Sequence, residues 1–558
     1  MNKTFDFIKT YTLSTNQLIV ITCVYIVFVL NAPFLFKAFS AILSLSEYNP
    51  FFLLSVPIFI LSLAIFIQCF FAWRWITKPI LILLVIMSSL VFYSTVNYGV
   101  IFDYGMIQNT VETDSAEAFS YINLTALLFL ATFGIIPAIL IAKVKLTYST
   151  FWGELITRIK LMIASLAFTL LIAIFFYSSY ASIGRNNRDL IGYLIPYALI
   201  DSTIKFANNN YIHPPLKFRM LDISPTVYDE SDTKNITVVV LGETARSQNF
   251  SLNGYEVPTN YLTSKLGVVS FKNVTSCGTS TAVSVPCMFS RLDKENYEKR
   301  VAIAQQNAID LIHLAGADVF WISNNSGGCK GVCSRVASHQ ISTDSNNPLC
   351  DGDYCFDEVL FDALRERLYS LSSDNTLIVL HMIGSHGPTY YRRYPKDKRI
   401  FTPDCQRSDI QNCSSVELLN TYNNTIAYTD FVLSKIITEL ASYSDKTKSR
   451  ASMIYISDHG ESLGEGGVYL HGLPYAFAPS EQTQVPFVYW ADQEHQQAKL
   501  DCLNNISTEP MSHDNLFDIL LSEMKVDSVT YSNSNNPFSK CNIENSTPNS
   551  VTIVQGEI

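Results

Sequence analysis

Four stretches in the second half of the chain pass from apolar, largely β-branched or aliphatic residues straight into side chains that bind metals or phosphate. Residues 236–241 lead into Gly242, Glu243 and Thr244, and residues 319–322 into Asn324, Asn325 and Lys330. Residues 377–380 lead into His381 and His386, and residues 453–456 into Asp458 and His459. Open parallel α/β sheets bind their ligands in the crevice beyond the carboxyl ends of the strands, so the pattern predicts one shared crevice. Glu243, Asp458 and His459 make a mixed oxygen and nitrogen set that suits zinc, with manganese the competitor where oxygen dominates. Adjacent Asp458 and His459 converge on one ion only if the backbone turns, and Gly460 is the residue expected to supply that turn. Glu461 and His471 follow shortly after.

A nucleophile is offered by the run Ser276-Cys277-Gly278-Thr279-Ser280-Thr281-Ala282-Val283-Ser284-Val285-Pro286-Cys287. A hydroxyl attacks poorly at neutral pH unless a base or a metal draws off its proton. Thr281 is placed to open a helix, where backbone N–H groups and the helix dipole favour an anionic phosphate. A Cys277–Cys287 bridge would hold the turn. The same residues would also serve as an ordinary helix N-cap, and spacing does not separate Thr279, Ser280 and Thr281.

These elements follow a first half of different character. The chain is 48% hydrophobic and only 16% charged, and the charge deficit lies before residue 185. Five apolar runs, at about 17–37, 51–73, 79–102, 122–142 and 161–181, each have the roughly 20 residues that cross a hydrocarbon core. Arg74 and Lys78 lie in one short loop, and Lys143, Lys145, Arg158 and Lys160 in another. With Lys3 and Lys9 they place the N-terminus and both basic loops in the cytoplasm, so five crossings leave the rest of the chain outside. All nine histidines lie beyond residue 185.

Cysteine usage points the same way. Cys277, Cys287, Cys329, Cys333, Cys350, Cys355, Cys405, Cys413, Cys502 and Cys541 form an even set in the region assigned outside, where disulfides persist. Sequence neighbours suggest the pairs 277–287, 329–333, 350–355, 405–413 and 502–541. Their spacings repeat no CxxC pair, which speaks against structural zinc. Cys23 and Cys69 fall inside apolar runs and are expected to stay thiols. A net charge of −10 without a basic tract argues against nucleic-acid binding.

The expected organisation is a five-helix transmembrane domain over 1–181, an interfacial helix and linker over 182–233, and an α/β domain over 234–558. Helices are expected at 356–371 and 415–443, and an irregular tail after 526 tied back through Cys541. In the loop 103–121, Asn109, Thr113 and Glu117 recur every four residues and would share one helical face. Arg246 is either a phosphate contact or half of a surface ion pair. His381 reads as a satisfied core histidine, and His213, His313, His339, His495 and His513 are given no role.

The whole chain resembles the lipid A phosphoethanolamine transferases, the group that includes the mobile colistin-resistance enzymes. The resemblance is carried by Gly242-Glu243-Thr244-Ala245-Arg246-Ser247, by residues 276–290, by Gly384-Ser385-His386-Gly387-Pro388-Thr389-Tyr390, and by residues 457–465 with His471. It implies an alkaline-phosphatase- or sulfatase-like fold for the outer half, zinc held by Glu243, Thr281, Asp458 and His459, and Thr281 as nucleophile. It also implies that His386 and His471 meet the substrate phosphate or a second zinc, and that Asn109, Thr113, Glu117 and Lys330 serve the phosphoethanolamine headgroup. Ser326 would join them, although Gly327-Gly328-Cys329 blurs the alignment there.

The implied reaction moves phosphoethanolamine from phosphatidylethanolamine to a lipid A phosphate through a phosphoethanolamine-threonine intermediate. It would take place at the outer face of a bacterial inner membrane, by a chain acting as a monomer among membrane lipids. Resistance to polymyxins such as colistin would follow from the added ammonium. The rivals are another membrane-anchored phosphotransferase, such as a glycerol-phosphate transferase, and an inactive sensor that keeps the fold. A sulfatase is disfavoured because no Cys-x-Pro-x-Arg or Ser-x-Pro-x-Arg motif is present.

Overall fold

The computed structural model describes residues 12–44, 49–113, 118, 121–177, 179–180, 183, 187–212, 216–228, 233–325, 327–371, 373–408 and 410–541. The chain divides into two compact units, one built mainly of residues up to Pro214 and one mainly of residues from Pro215 onward.

In the first unit, helices Pro50–Phe70, Thr77–Tyr98, Leu124–Lys143 and Phe151–Phe175 are each long and apolar enough to span a bilayer. The run expected as one span at 17–37 is instead two segments, Thr15–Leu30 and Ala32–Leu43, bent by 61°. The cause is local. Pro33 lacks an N–H and sits in the first turn of the second segment, where that loss is tolerated. Asn31 at the bend is buried and repairs the break, its Nδ2 donating to the carbonyls of Ile26 at 3.0 Å and Ile195 at 2.6 Å. Its Oδ1 accepts the Ile195 N–H at 2.8 Å. Among the described residues, four helices are therefore long and apolar enough to span a bilayer, five if the bent pair counts as one span. The last helix begins about ten residues before the run expected at 161–181, because Thr150 caps it by accepting the Gly153 N–H. Lys78 donates to the carbonyls of Ala142 and Val144, closing the end of Leu124–Lys143.

The second unit is built on a seven-stranded sheet. Its strands are β1 (Asn235–Gly242), β2 (Val269–Phe271), β3 (Asp318–Ser323), β4 (Ala337–Gln340), β5 (Asn375–His381), β6 (Arg450–Ser457) and β7 (Phe487–Ala491), in the order β2-β7-β6-β1-β5-β3-β4. From β6 to β4 every pair is parallel, while β7 is antiparallel to both of its neighbours. The β1, β5 and β6 runs are buried on both faces, as continuous apolar strands of a covered parallel sheet must be. One face packs the cluster that holds Val239, Leu241, Val285, Phe289, Trp321, Val379 and Ile456. The helices expected at 356–371 and 415–443 are Glu358–Leu368 and Ser415–Thr447. Ser414 and Glu417 form a capping box at the start of the longer one.

Register positions the site. Gly242 pairs with Ser457, Leu241 with His381, and Ser323 with His381, so four of the five parallel strands, β6, β1, β5 and β3, end on one line. The five disulfides are Cys277–Cys287, Cys329–Cys333, Cys350–Cys355, Cys405–Cys413 and Cys502–Cys541, and Cys23 and Cys69 are buried thiols. The described part of the tail, up to Cys541, is tied back by Cys502–Cys541 as expected. A turn of 3-10 helix, Pro537–Cys541, drives Phe538 into the core against Phe271, Phe487 and Tyr489.

Candidate metal and phosphoryl-transfer site

Glu243 leaves the end of β1, and Asp458 and His459 leave the end of its neighbour β6. All three are fully buried, and one ligand atom of each lies within 4.8 Å of the others. Asp458 Oδ1 accepts the amides of Thr244 at 3.0 Å and of His459 at 2.7 Å, whereas its Oδ2 has no hydrogen-bond partner. His459 Nδ1 lies 2.8 Å from the Gly460 carbonyl, which fixes this nitrogen as a donor and turns Nε2 inward. That Nε2 is 3.4 Å from both Glu243 Oε1 and Asp458 Oδ2.

Burial and the Glu243 charge push the Asp458 carboxyl up to about 7. Burial works against a charged His459, but the Asp458 and Glu243 carboxylates outweigh it and raise the imidazole to about 10. Two carboxylates and an inward imidazole thus crowd together, and among the described residues Asp458 Oδ2 makes no hydrogen bond, its contact being His459 Nε2 at 3.4 Å. A divalent cation satisfies all three at once, so the donor set fits zinc.

Gly460 is required for a different reason from the one expected. Its φ is not in the left-handed region; a Cβ there would lie 2.0 Å from the Glu481 carbonyl oxygen.

The helix Thr281–Met288 brings up the hydroxyl. Thr281, its first residue, has Oγ1 2.9 Å and 3.1 Å from the Glu243 oxygens and 3.3 Å from His459 Nε2. Its two rivals are placed otherwise. Thr279 donates to the Leu473 carbonyl at 2.6 Å, and Ser280 is the N-cap residue. Ser284 pins the helix to the metal cluster by donating to the Asp458 carbonyl at 2.6 Å and accepting the Gly278 N–H at 3.0 Å.

Two further histidines line this crevice. The His471 ring centre lies 4.4 Å from that of His459 and 5.5 Å from that of His386. His471 Nδ1 is 3.4 Å from both oxygens of buried Glu461, whose carboxyl burial pushes up to about 8.

A family model described as phosphoethanolamine transferase EptA/EptB matches residues 59–211, and a sulfatase model matches residues 235–526. The phosphoethanolamine transferase EptA of Escherichia coli (strain K12) is 39% identical over 526 residues, which is 93% of this chain and 95% of that protein. The chain belongs to the phosphoethanolamine transferase family. The phosphatidylethanolamine transferase Mcr-1 of Escherichia coli is 38% identical over 435 residues, 76% of this chain and 80% of that one. Among solved structures, the integral membrane lipooligosaccharide phosphoethanolamine transferase A of Neisseria meningitidis superposes with a TM-score of 0.89. It has 34% identity and covers 95% of this chain and 99% of its own. With its apolar helices and sulfatase-type sheet, the chain is a membrane enzyme of this family.

The other residues expected at the site stand in several places. Lys330 follows β3 with its backbone at φ +49°, and its ammonium lies 3.6 Å from Glu112, which clusters with the same unit. Asn109 belongs to the other unit, on helix Tyr104–Glu112, which ends before Thr113. Glu117 and Ser326 lie outside the described residues, so the face expected for 109, 113 and 117 is not formed by one described helix. Arg246 is not half of a surface ion pair. It is buried, donates to Asn249 and to the Glu461 carbonyl, and stacks over Tyr422. His381 is buried as expected, and among the described residues neither ring nitrogen meets a hydrogen-bond partner of good geometry; burial lowers it to about 4.

Three supporting residues escaped the sequence reading. Asn325 was noted only as a polar strand-end residue, yet its Nδ2 donates to Glu243 Oε2 at 2.7 Å. His513, given no role, accepts the Cys277 N–H at 3.1 Å through Nδ1 and donates through Nε2 to the Ser457 carbonyl at 3.0 Å. It therefore joins the hydroxyl-bearing turn to the end of β6. Asp357 accepts from Asn324 Nδ2, Ile383 N–H and Gly384 N–H, tying the β3 and β5 ends together. Only strand-end position marked Asn325 in the sequence; nothing local marked the other two.

Proposed function

We propose that this chain transfers phosphoethanolamine from phosphatidylethanolamine to a phosphate of lipid A, with Thr281 as the nucleophile. The observation that carries this reading is the Thr281 hydroxyl, 2.9 Å from Glu243 Oε1 at a helix N-terminus beside the buried Glu243, Asp458 and His459 cluster. Zinc held by Glu243, Asp458, His459 and the Thr281 oxygen would supply the positive charge that lowers the pKa of that hydroxyl.

The residues then have distinct tasks. Thr281 Oγ1 attacks phosphorus, a new P–O bond forms to Thr281, and the bond to the glycerol oxygen breaks, releasing diacylglycerol. The positive end of the Thr281–Met288 helix dipole would favour the negative charge of the phosphate. His386 and His471 meet the charge that develops on those oxygens, with Lys330 as a further cation. A lipid A phosphate oxygen attacks the same phosphorus in the second step and returns the Thr281 hydroxyl. Asn109, Thr113 and Glu117 serve the ethanolamine headgroup. Both substrates are lipids, so the bent pair is read as a single span, making five crossings. The unit from Pro215 onward is read as lying at the outer face of the inner membrane. Masking a lipid A phosphate with an ammonium weakens its attraction for polymyxins.

Mass spectrometry of lipid A from cells expressing the chain tests this reading. A phosphoethanolamine adduct is expected with wild type and none with Thr281→Ala, which should also lose the adduct on the enzyme itself. Chelator-treated enzyme should cease to release diacylglycerol and recover on addition of zinc. An adduct that persists in Thr281→Ala removes the nucleophile assignment.

A further inference from the structure

Thr244 is fully buried and holds a left-handed backbone, φ +58°. The other non-glycine residues at positive φ among those described are Lys330, Lys448, Leu470 and Lys525; none carries a branched Cβ. A β-branched residue is the least suited to this region, and glycine would meet the backbone demand with no steric conflict. Something that glycine lacks therefore has to offset the strain, and strained residues of this kind cluster at functional sites.

Thr244 reaches both carboxylates of the cluster. Its hydroxyl donates to Glu243 Oε1 at 2.7 Å, and its amide donates to Asp458 Oδ1 at 3.0 Å. Its carbonyl accepts the hydroxyl of buried Tyr422 at 2.8 Å, and that same Tyr422 oxygen accepts the Arg246 N–H at 3.0 Å. The left-handed turn lets the amide and the hydroxyl of one residue grip two ligands from neighbouring strands, while Tyr422 anchors the far side of the peptide.

We propose that Thr244 is a positioning residue that fixes the Glu243 and Asp458 carboxylates relative to each other for cation binding. This rests on the metal-site reading given above. Thr244 is not itself a ligand. Its hydroxyl orients the Glu243 carboxylate, and its amide occupies Asp458 Oδ1 so that Oδ2 is left for the ion. Outer groups of this kind commonly set metal affinity over about a 10–100-fold range.

The test measures zinc affinity on the full-length, detergent-solubilised chain by competition with a chromophoric chelator, independently of turnover. Thr244→Val keeps the shape and removes the hydroxyl, and should weaken zinc binding by about 10–100-fold. Thr244→Gly relieves the backbone but also lacks the hydroxyl, and should weaken binding as well. Thr244→Ser restores the donor and should bind close to wild type. If valine and glycine variants bind zinc as tightly as wild type, the inference falls while the metal site stands. The inference falls equally if serine binds as weakly as valine, because the hydroxyl is then not the cause. Should the valine variant fail to fold, the serine and glycine pair decides by the same comparison. If wild type binds no zinc at all, the metal-site reading falls and takes this inference with it.

Discussion

Gly384 offers a substitution whose cost follows from the geometry. It sits at φ +51°, and a Cβ added there would lie 2.6 Å from the Glu243 carbonyl oxygen and 3.0 Å from the Glu243 nitrogen. Neither side can retreat. The Glu243 carbonyl accepts the Ser385 N–H at 3.0 Å, and the loop is gripped by Asp357, which accepts the Ile383 and Gly384 amides at 2.9 Å and 2.8 Å. Gly384→Ala should therefore lose about 1–2 kcal/mol to the left-handed backbone. The contact adds about 1–3 kcal/mol, as overpacking a rigid site does. The residue displaced is the metal ligand Glu243, and a shift of about 1 Å near a reacting centre can cost about 100-fold in rate.

Gly254→Ala is the control. Gly254 lies at φ +106° with nothing within 4 Å of an added Cβ, so it carries only the backbone term. Thermal unfolding and diacylglycerol release would be measured on both variants. The expected result is a larger stability loss in Gly384→Ala, with a rate deficit that Gly254→Ala lacks. If the two variants match in stability and rate, the close approach of the His386 loop to Glu243 does not govern the site, and the reasoning fails.

Two further outcomes are expected. Ser284→Ala leaves the buried Gly278 amide and Asp458 carbonyl without their partner and should cost about 1–3 kcal/mol in denaturant or thermal unfolding, together with turnover. Burial lowers His513 to about 3, so the folded chain refuses a proton that the unfolded chain accepts near 6.5. Its contribution is intact above about pH 6.5 and erodes by about 1.4 kcal/mol per pH unit between 6.5 and 3. His513→Gln should flatten the acid limb of the melting-temperature profile relative to wild type, and an unchanged slope would show that His513 is not held neutral.

Much of the second unit was legible because its signals are local. Residues 236–241, 319–322, 377–380 and 453–456 are continuous apolar runs that end in polar residues, and the structure turns them into β1, β3, β5 and β6. The cysteine pairs were also local, four of the five bonds closing ten residues or fewer. The bend in the 17–37 run was not legible because hydropathy reports composition over a window, whereas the bend depends on Pro33 and on Asn31 meeting Ile195 far along the chain. The burial of Arg246 was not legible because charge argues for a surface position until a partner set such as Asn249, Glu461 and Tyr422 surrounds it.

By itself the sequence determined which residues could do chemistry and that they stand at strand ends, since ligand type and apolar run length are written residue by residue. Tertiary structure decided which of them meet. Parallel register set Gly242 beside Ser457, so that Glu243 faces Asp458 across more than two hundred residues of chain. Helix placement turned the Thr281 hydroxyl, and not that of Thr279, onto Glu243. Thr244, Asn325 and His513 acquired their roles in the same way. A hydrogen bond requires atoms about 3 Å apart, and no local pattern encodes the distance between residues that only folding brings together.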